Sequence, residues 1–95
     1  MDVTGTTGGQ GYTASNMVMS EYKYVCAFIT AREPSGYRSY WKFSKLTLNE
    51  GSLSEEIISE DREVNTLNGK FSLSNGKIRT QFVNGNGFSL LFGFK

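Results

Sequence analysis

The chain has no histidine, one cysteine, one proline and only two aspartates, at positions 2 and 61. Each scarcity removes a class of chemistry. Without histidine there is no side chain that titrates near neutrality unaided, and the commonest triad base and metal ligand are gone. One thiol and no imidazole rule out a structural zinc site. Two separated aspartates cannot supply a calcium or magnesium loop. A single cysteine, Cys26, forbids an internal disulfide and reads as a small buried hydrophobe on a strand. No apolar run reaches membrane-spanning length. The first twenty residues lack the basic and apolar regions of a secretory signal, so the expected setting is cytoplasmic and reducing, or a virion. The glycines near the N-terminus match neither the phosphate-loop nor the dinucleotide-binding pattern, and no strand is expected before them. A carboxylate pair such as Glu55 with Glu60 is the form glycoside cleavage would take, but these residues lie in a run expected to be solvated. The sequence therefore predicts a protein that is not an enzyme and needs no cofactor or metal.

What the 95 residues do contain is β-forming: many Gly, Ser and Asn, and 14% aromatics. The expectation is an all-β, mainly antiparallel fold of about five strands, a long N-terminal hairpin followed by a C-terminal three-strand meander. Residues 17–95 are read as a single β-rich domain. Residues 1–16, with four glycines among Thr and Gln, are read as a flexible arm, because they offer little to bury.

The hairpin spans Tyr22–Ala31 and Tyr37–Leu48. Pro34 suits the second position of a type I turn and Gly36 a left-handed closing residue, which predicts a three-residue loop. Counting back sets Glu33 opposite Tyr37, Ile29 opposite Trp41, Ala27 opposite Phe43 and Val25 opposite Lys45. A four-residue loop would slip the register by one and regroup both faces. The other face then holds Tyr22, Tyr24, Cys26, Phe28, Tyr40, Lys42, Leu46 and Leu48, with Arg38 at its rim. Both faces are apolar, whereas a half-exposed antiparallel strand alternates apolar with polar. The second face is thus either a further core layer or an interface, since Tyr and Arg are enriched where proteins meet. Its candidate interface residues are Tyr22, Tyr24, Phe28, Arg38, Tyr40, Lys42, Leu46 and Leu48.

Six acids between Glu50 and Glu63 against Arg62 alone give that segment −5, leaving +6 on the remainder of a chain with net charge +1. The segment suits a solvated face or a cap on a basic sheet. Ser52 with Glu55 resembles a capping box, and Leu53, Ile57 and Val64 could line a short helix at 52–64; an irregular strand through Glu56–Glu60 is the alternative. Farther on, Asn75-Gly76 between alternating strands marks a hairpin with Leu73 opposite Ile78. Phe71, Leu73, Ile78, Thr80 and Phe82 then share an inner face. Phe88, Leu90, Phe92 and Phe94 are expected to continue that face by pairing with the 77–83 strand. The predicted core is Val25, Ala27, Ile29, Trp41, Phe43, Phe71, Leu73, Ile78, Phe82, Phe88, Leu90 and Phe92.

In function, these features point to a small non-enzymatic protein-binding or self-assembling module, most simply a homodimer. They would suit a phage or viral accessory protein, such as an inhibitor of a host complex or a virion component. The alternative is single-stranded nucleic-acid binding along the Arg38, Tyr40 and Lys42 stripe, with bases stacked on neighbouring aromatics. No membrane partner is expected.

Overall fold

A computed structural model describes residues 1–36 and 38–95. The class is all-β and antiparallel, with eight strands instead of five. These are β1 (Asp2–Gly8), β2 (Tyr12–Val18), β3 (Tyr24–Arg32), β4 (Ser39–Asn49), β5 (Ser52–Arg62), β6 (Asn68–Ser74), β7 (Lys77–Val83) and β8 (Asn86–Phe94). A 3-10 turn, Met19–Glu21, links β2 to β3. One sheet has the order β1-β8-β3-β4-β5 and the other β2-β7-β6.

The two sheets pack face to face. At one end of the interior Val25, Ala27, Leu46 and Leu91 meet Met17, Met19 and Ile78. At the other, Ile29, Ala31 and Tyr40 meet Leu67 and Phe82. Between them lie buried Ser44, Thr80 and Ser89, with Ser89 Oγ hydrogen-bonded to Thr6 Oγ1 at 2.7 Å. Much of the larger sheet's inner surface is small: Ala27, Ala31, Ser44, Ser89 and Gly93 are all buried. Gly69 and Gly93 let Ile29 and the Tyr22 ring close directly onto backbone, where a Cβ would collide.

Several expectations change. The segment read as a flexible arm supplies two strands: residues 2–8 pair with β8, and residues 12–18 pair with β7 through a shifted register. Backbone hydrogen bonds supply this ordering without large side chains, and the β-branched Val3, Thr4, Thr6 and Thr7 favour an extended chain. Because β2 occupies the free edge of β7, β8 cannot add there as a meander. The chain crosses at Asn84-Gly85, and β8 inserts between β1 and β3 of the other sheet. Asn84 takes φ 61° and donates through Nδ2 to the Thr66 carbonyl (2.9 Å). The Asn75-Gly76 hairpin forms in the expected register, Leu73 opposite Ile78, with φ of 52° and 80° at the two turn residues.

Segment 52–62 is an edge strand, with no helix at 52–64. Glu55, the residue that suggested a cap, instead reaches the buried Lys42. Its Oε2 lies 2.8 Å from Lys42 Nζ and accepts from Ser44 Oγ at 2.7 Å. Lys42 Nζ also donates to the Gly69 carbonyl at 2.6 Å. A charge this deeply buried requires a counter-charge and hydrogen bonds, and strand β5 delivers them. A bulge near Ile57 and Ile58, where the register shifts, together with the acidic side chains, blunts this open edge.

The hairpin register is the one-residue slip. Glu33 N–H donates to the Arg38 carbonyl at 3.1 Å, so four residues separate the two. Ile29 pairs with Lys42 and Phe28 with Phe43. The expected opposition of Glu33 and Tyr37 falls on a residue outside those described.

Candidate interaction face

The slip turns every side chain of β4 to the opposite side. Tyr40, Lys42 and Leu46, three of the candidate interface residues, point inward and are buried at 0%, 2% and 0% exposure. Trp41 and Phe43, placed in the core by the sequence, point outward. The same inversion holds for β8: Ser89 and Leu91 face in, while Phe88, Leu90, Phe92 and Phe94 face out. The core keeps Val25, Ala27, Ile29, Ile78 and Phe82 as expected, with Phe71 and Leu73 partly buried against it.

The outer face of the five-stranded sheet can be laid out in rows from the strand pairing. One row runs Thr7, Phe88, Thr30, Trp41, Asp61; the next runs Gly5, Leu90, Phe28, Phe43, Ser59; the third runs Val3, Phe92, Cys26, Lys45, Glu56. Below these, the Tyr24 and Phe94 rings stack at a centroid separation of 4.8 Å, and Lys45 Nζ lies 4.9 Å from the Tyr24 ring centroid. Phe88 is 42% exposed, Trp41 38% and Val3 54%. The remaining aromatics shield one another and are half-buried. The smaller sheet covers the opposite side, and no third layer lies over this one among the described residues.

At the hairpin-tip end the face dips into an open depression of about 340 Å³, lined by Thr30, Arg32, Ser39, Asn86 and Phe88 over the backbone of Ala31 and Gly87. The floor is close backbone, because Gly87 sits against the Thr30 carbonyl.

Of the candidate interface residues, Tyr24 and Phe28 alone join this face. Tyr22 packs against the interior cluster, and its hydroxyl donates to Asp2 Oδ2 at 2.6 Å. That bond lowers the Asp2 carboxyl and pushes the Tyr22 hydroxyl up to about 12. Arg38 lies at the hairpin tip, held to Glu33 by two bonds of 2.7 and 2.9 Å that raise its pKa. Leu48 is exposed near the far end of β4. Cys26, expected to be buried, is half-buried on the outer face.

The acidic strand is tied to β4. The Tyr40 hydroxyl donates to Glu60 Oε2 at 3.0 Å, and burial with that bond pushes it up to about 12. Glu63 accepts from Ser39 Oγ and Ser39 N–H at 2.7 and 2.8 Å, which lowers its pKa. Glu55 and Glu60, the hypothetical carboxylate pair, thus serve Lys42 with Ser44, and Tyr40 with Arg62. Among the described residues no group of three or more His, Cys, Asp or Glu gathers as a metal site. Among the described residues no helix is long and apolar enough to cross a membrane.

The residues missed by sequence reasoning are Trp41, Phe43, Phe88, Leu90 and Phe92. The available signal was the alternative register, since a four-residue loop groups Trp41 and Phe43 with Tyr24 and Phe28. No family model, curated protein or solved structure matches the chain.

Proposed function

We propose that this protein is a non-enzymatic binding module that docks on another protein surface through the outer face of its five-stranded sheet. The observation carrying this reading is the inversion of side-chain size. Ala, Ser and Gly supply much of the side where the sheets close, while Trp41, Phe28, Phe43, Phe88, Leu90 and Phe92 occupy the uncovered side. Folding alone would favour burying the larger side chains, because the gain scales with apolar area. An aromatic centre with polar residues at its border is also the anatomy of a protein interface, here bordered by Asp61, Ser59 and Glu56 on β5.

The test is paired substitution at the two most exposed aromatics of the face, Trp41→Ser with Phe88→Ser. Association with self or with a second protein, read by light scattering and co-purification, should be lost while the melting temperature stays within about 8 °C, as for two surface changes of ~0.5 kcal/mol each. Association that survives in the folded variant overturns the reading.

Single-stranded nucleic acid is the competing partner. It requires aromatic stacking inside a basic groove. The Arg38, Tyr40 and Lys42 stripe is not assembled: Arg38 is paired with Glu33, and the other two are buried. Arg32 and Lys45 are the cations on the outer rows. Salt-sensitive binding of a labelled oligonucleotide, abolished by the same substitutions, would favour this partner instead.

A further inference from the structure

We propose that the occupant of the outer face is a second copy of this chain, packed face to face with the two-fold axis running along β3. The inference rests on the docking reading above and adds the partner and its orientation.

Area supports it first. Five strands at the usual spacing and a nine-residue length cover roughly 20 by 30 Å, on the order of 600 Å². A standard interface takes about 800 Å² from each partner, so the face nearly fills that requirement. Isolated monomers rarely leave an apolar patch beyond a few hundred Å² uncovered.

Symmetry and charge choose the partner and its orientation. An isologous contact requires one patch to complement itself. The centre of this face, Phe28 with Leu90 and Phe43, carries no charge to meet its own copy. The acids lie at one border only: Glu56 and Asp61 on β5 form no ion pair among the described residues. A two-fold axis crossing the strands would stack β5 on the partner's β5, acid over acid. An axis along β3, the central strand, sets β5 over the partner's β1 instead. The outward residues of β1 are uncharged, and the N-terminal amine and Lys95 lie beside them near Asp2. Lys45 then meets the aromatic β8 of the partner, where an ammonium can sit on a ring face.

This orientation also brings the two copies of Cys26, which lies on β3, toward each other across the interface. Facing sheets are about 10 Å apart, so two side chains pointing inward approach within reach of a short bis-maleimide but not of a direct disulfide.

The experiment is light scattering of the wild-type protein over a dilution series, with bis-maleimidoethane crosslinking at Cys26, repeated with Trp41→Ser/Phe88→Ser. The expected result is a dimer crosslinked through Cys26, with a dissociation constant at least ten-fold weaker in the variant. A dimer that resists crosslinking overturns the axis. A wild-type monomer that still binds another protein through Trp41 and Phe88 overturns self-association and leaves the docking reading standing. A dimer of unchanged affinity in the variant overturns both. The wild-type mass and crosslink are decisive whether or not the variant folds.

Discussion

Phe82 and Phe88 are the same residue type six positions apart, and they occupy opposite situations. Phe82 is fully buried between the sheets, while Phe88 is 42% exposed on the outer face. Phe82→Ala should destabilise by about 3–5 kcal/mol through lost transfer energy and a cavity. Phe88→Ala should change stability by less than about 1 kcal/mol. Urea unfolding of the two variants under dilute conditions measures the contrast, and equal losses would contradict the assignment of faces. Lys42 is the costlier kind of interior residue. Removing it strands the Glu55 carboxylate and leaves the Gly69 carbonyl without its 2.6 Å donor. Lys42→Ala should cost about 2–3 kcal/mol, at the lower end for a buried pair because the Glu55 side chain is 26% exposed. Lys42→Met with Glu55→Gln should recover most of that in thermal unfolding, since no unpaired charge remains.

Among elements, the β6–β7 hairpin is the most locally specified. Gly76 sits at φ 80°, where a Cβ meets its own backbone, so Gly76→Ala should cost about 1–2 kcal/mol by the same unfolding assay. Strand β1 is the opposite case, since it is held by pairing and by few side chains. Deleting residues 1–8 removes the Thr6–Ser89 and Asp2–Tyr22 bonds. The part-buried Thr6–Ser89 bond alone is worth about 1 kcal/mol, so the deletion should lower the melting temperature by at least about 5 °C in a domain of this size. The deletion also bares the edge of β8, so turbidity on heating should rise. A truncated protein with unchanged melting would restore the arm reading. The Gly-rich start concealed this strand because its ordering comes from the edge of β8, a partner at the far end of the chain.

At the scale of the molecule, stability depends on pH through contacts that join distant segments. The Tyr22 and Tyr40 hydroxyls are both pushed up to about 12 from an ordinary 10. The folded state therefore holds its protons where the unfolded chain has released them. Their contribution is complete below pH 10 and is lost as pH rises through 12. Asp2 and Glu63 work in the other direction, because their lowered values stabilise the fold above the ordinary carboxylate range and cease to do so as pH falls below about 4. Melting curves from pH 9 to 12 should decline steeply in the wild type and less so in Tyr40→Phe. A decline of equal steepness in both would remove Tyr40 from the account.

The antiparallel β class, the Asn75-Gly76 hairpin with its register, and the inward set Val25, Ala27, Ile29, Ile78 and Phe82 follow from the sequence alone, because period-two patterning and turn chemistry are local. Which face of the larger sheet is covered does not follow from it. Along β4 and β8 both parities carry apolar residues, so periodicity cannot distinguish in from out. One extra residue in the 33–38 loop reverses β4, and the decision between the two registers is made by the interior. The second sheet packs on an inner surface where Ala27, Ala31, Ser44 and Ser89 sit among Val25, Ile29, Tyr40, Leu46 and Leu91, and Lys42 needs the Gly69 carbonyl from the smaller sheet and Glu55 from the edge strand β5. Those constraints join residues far apart in the chain, and by fixing the parity of β4 and β8 they leave Trp41, Phe43, Phe88 and Phe92 outside.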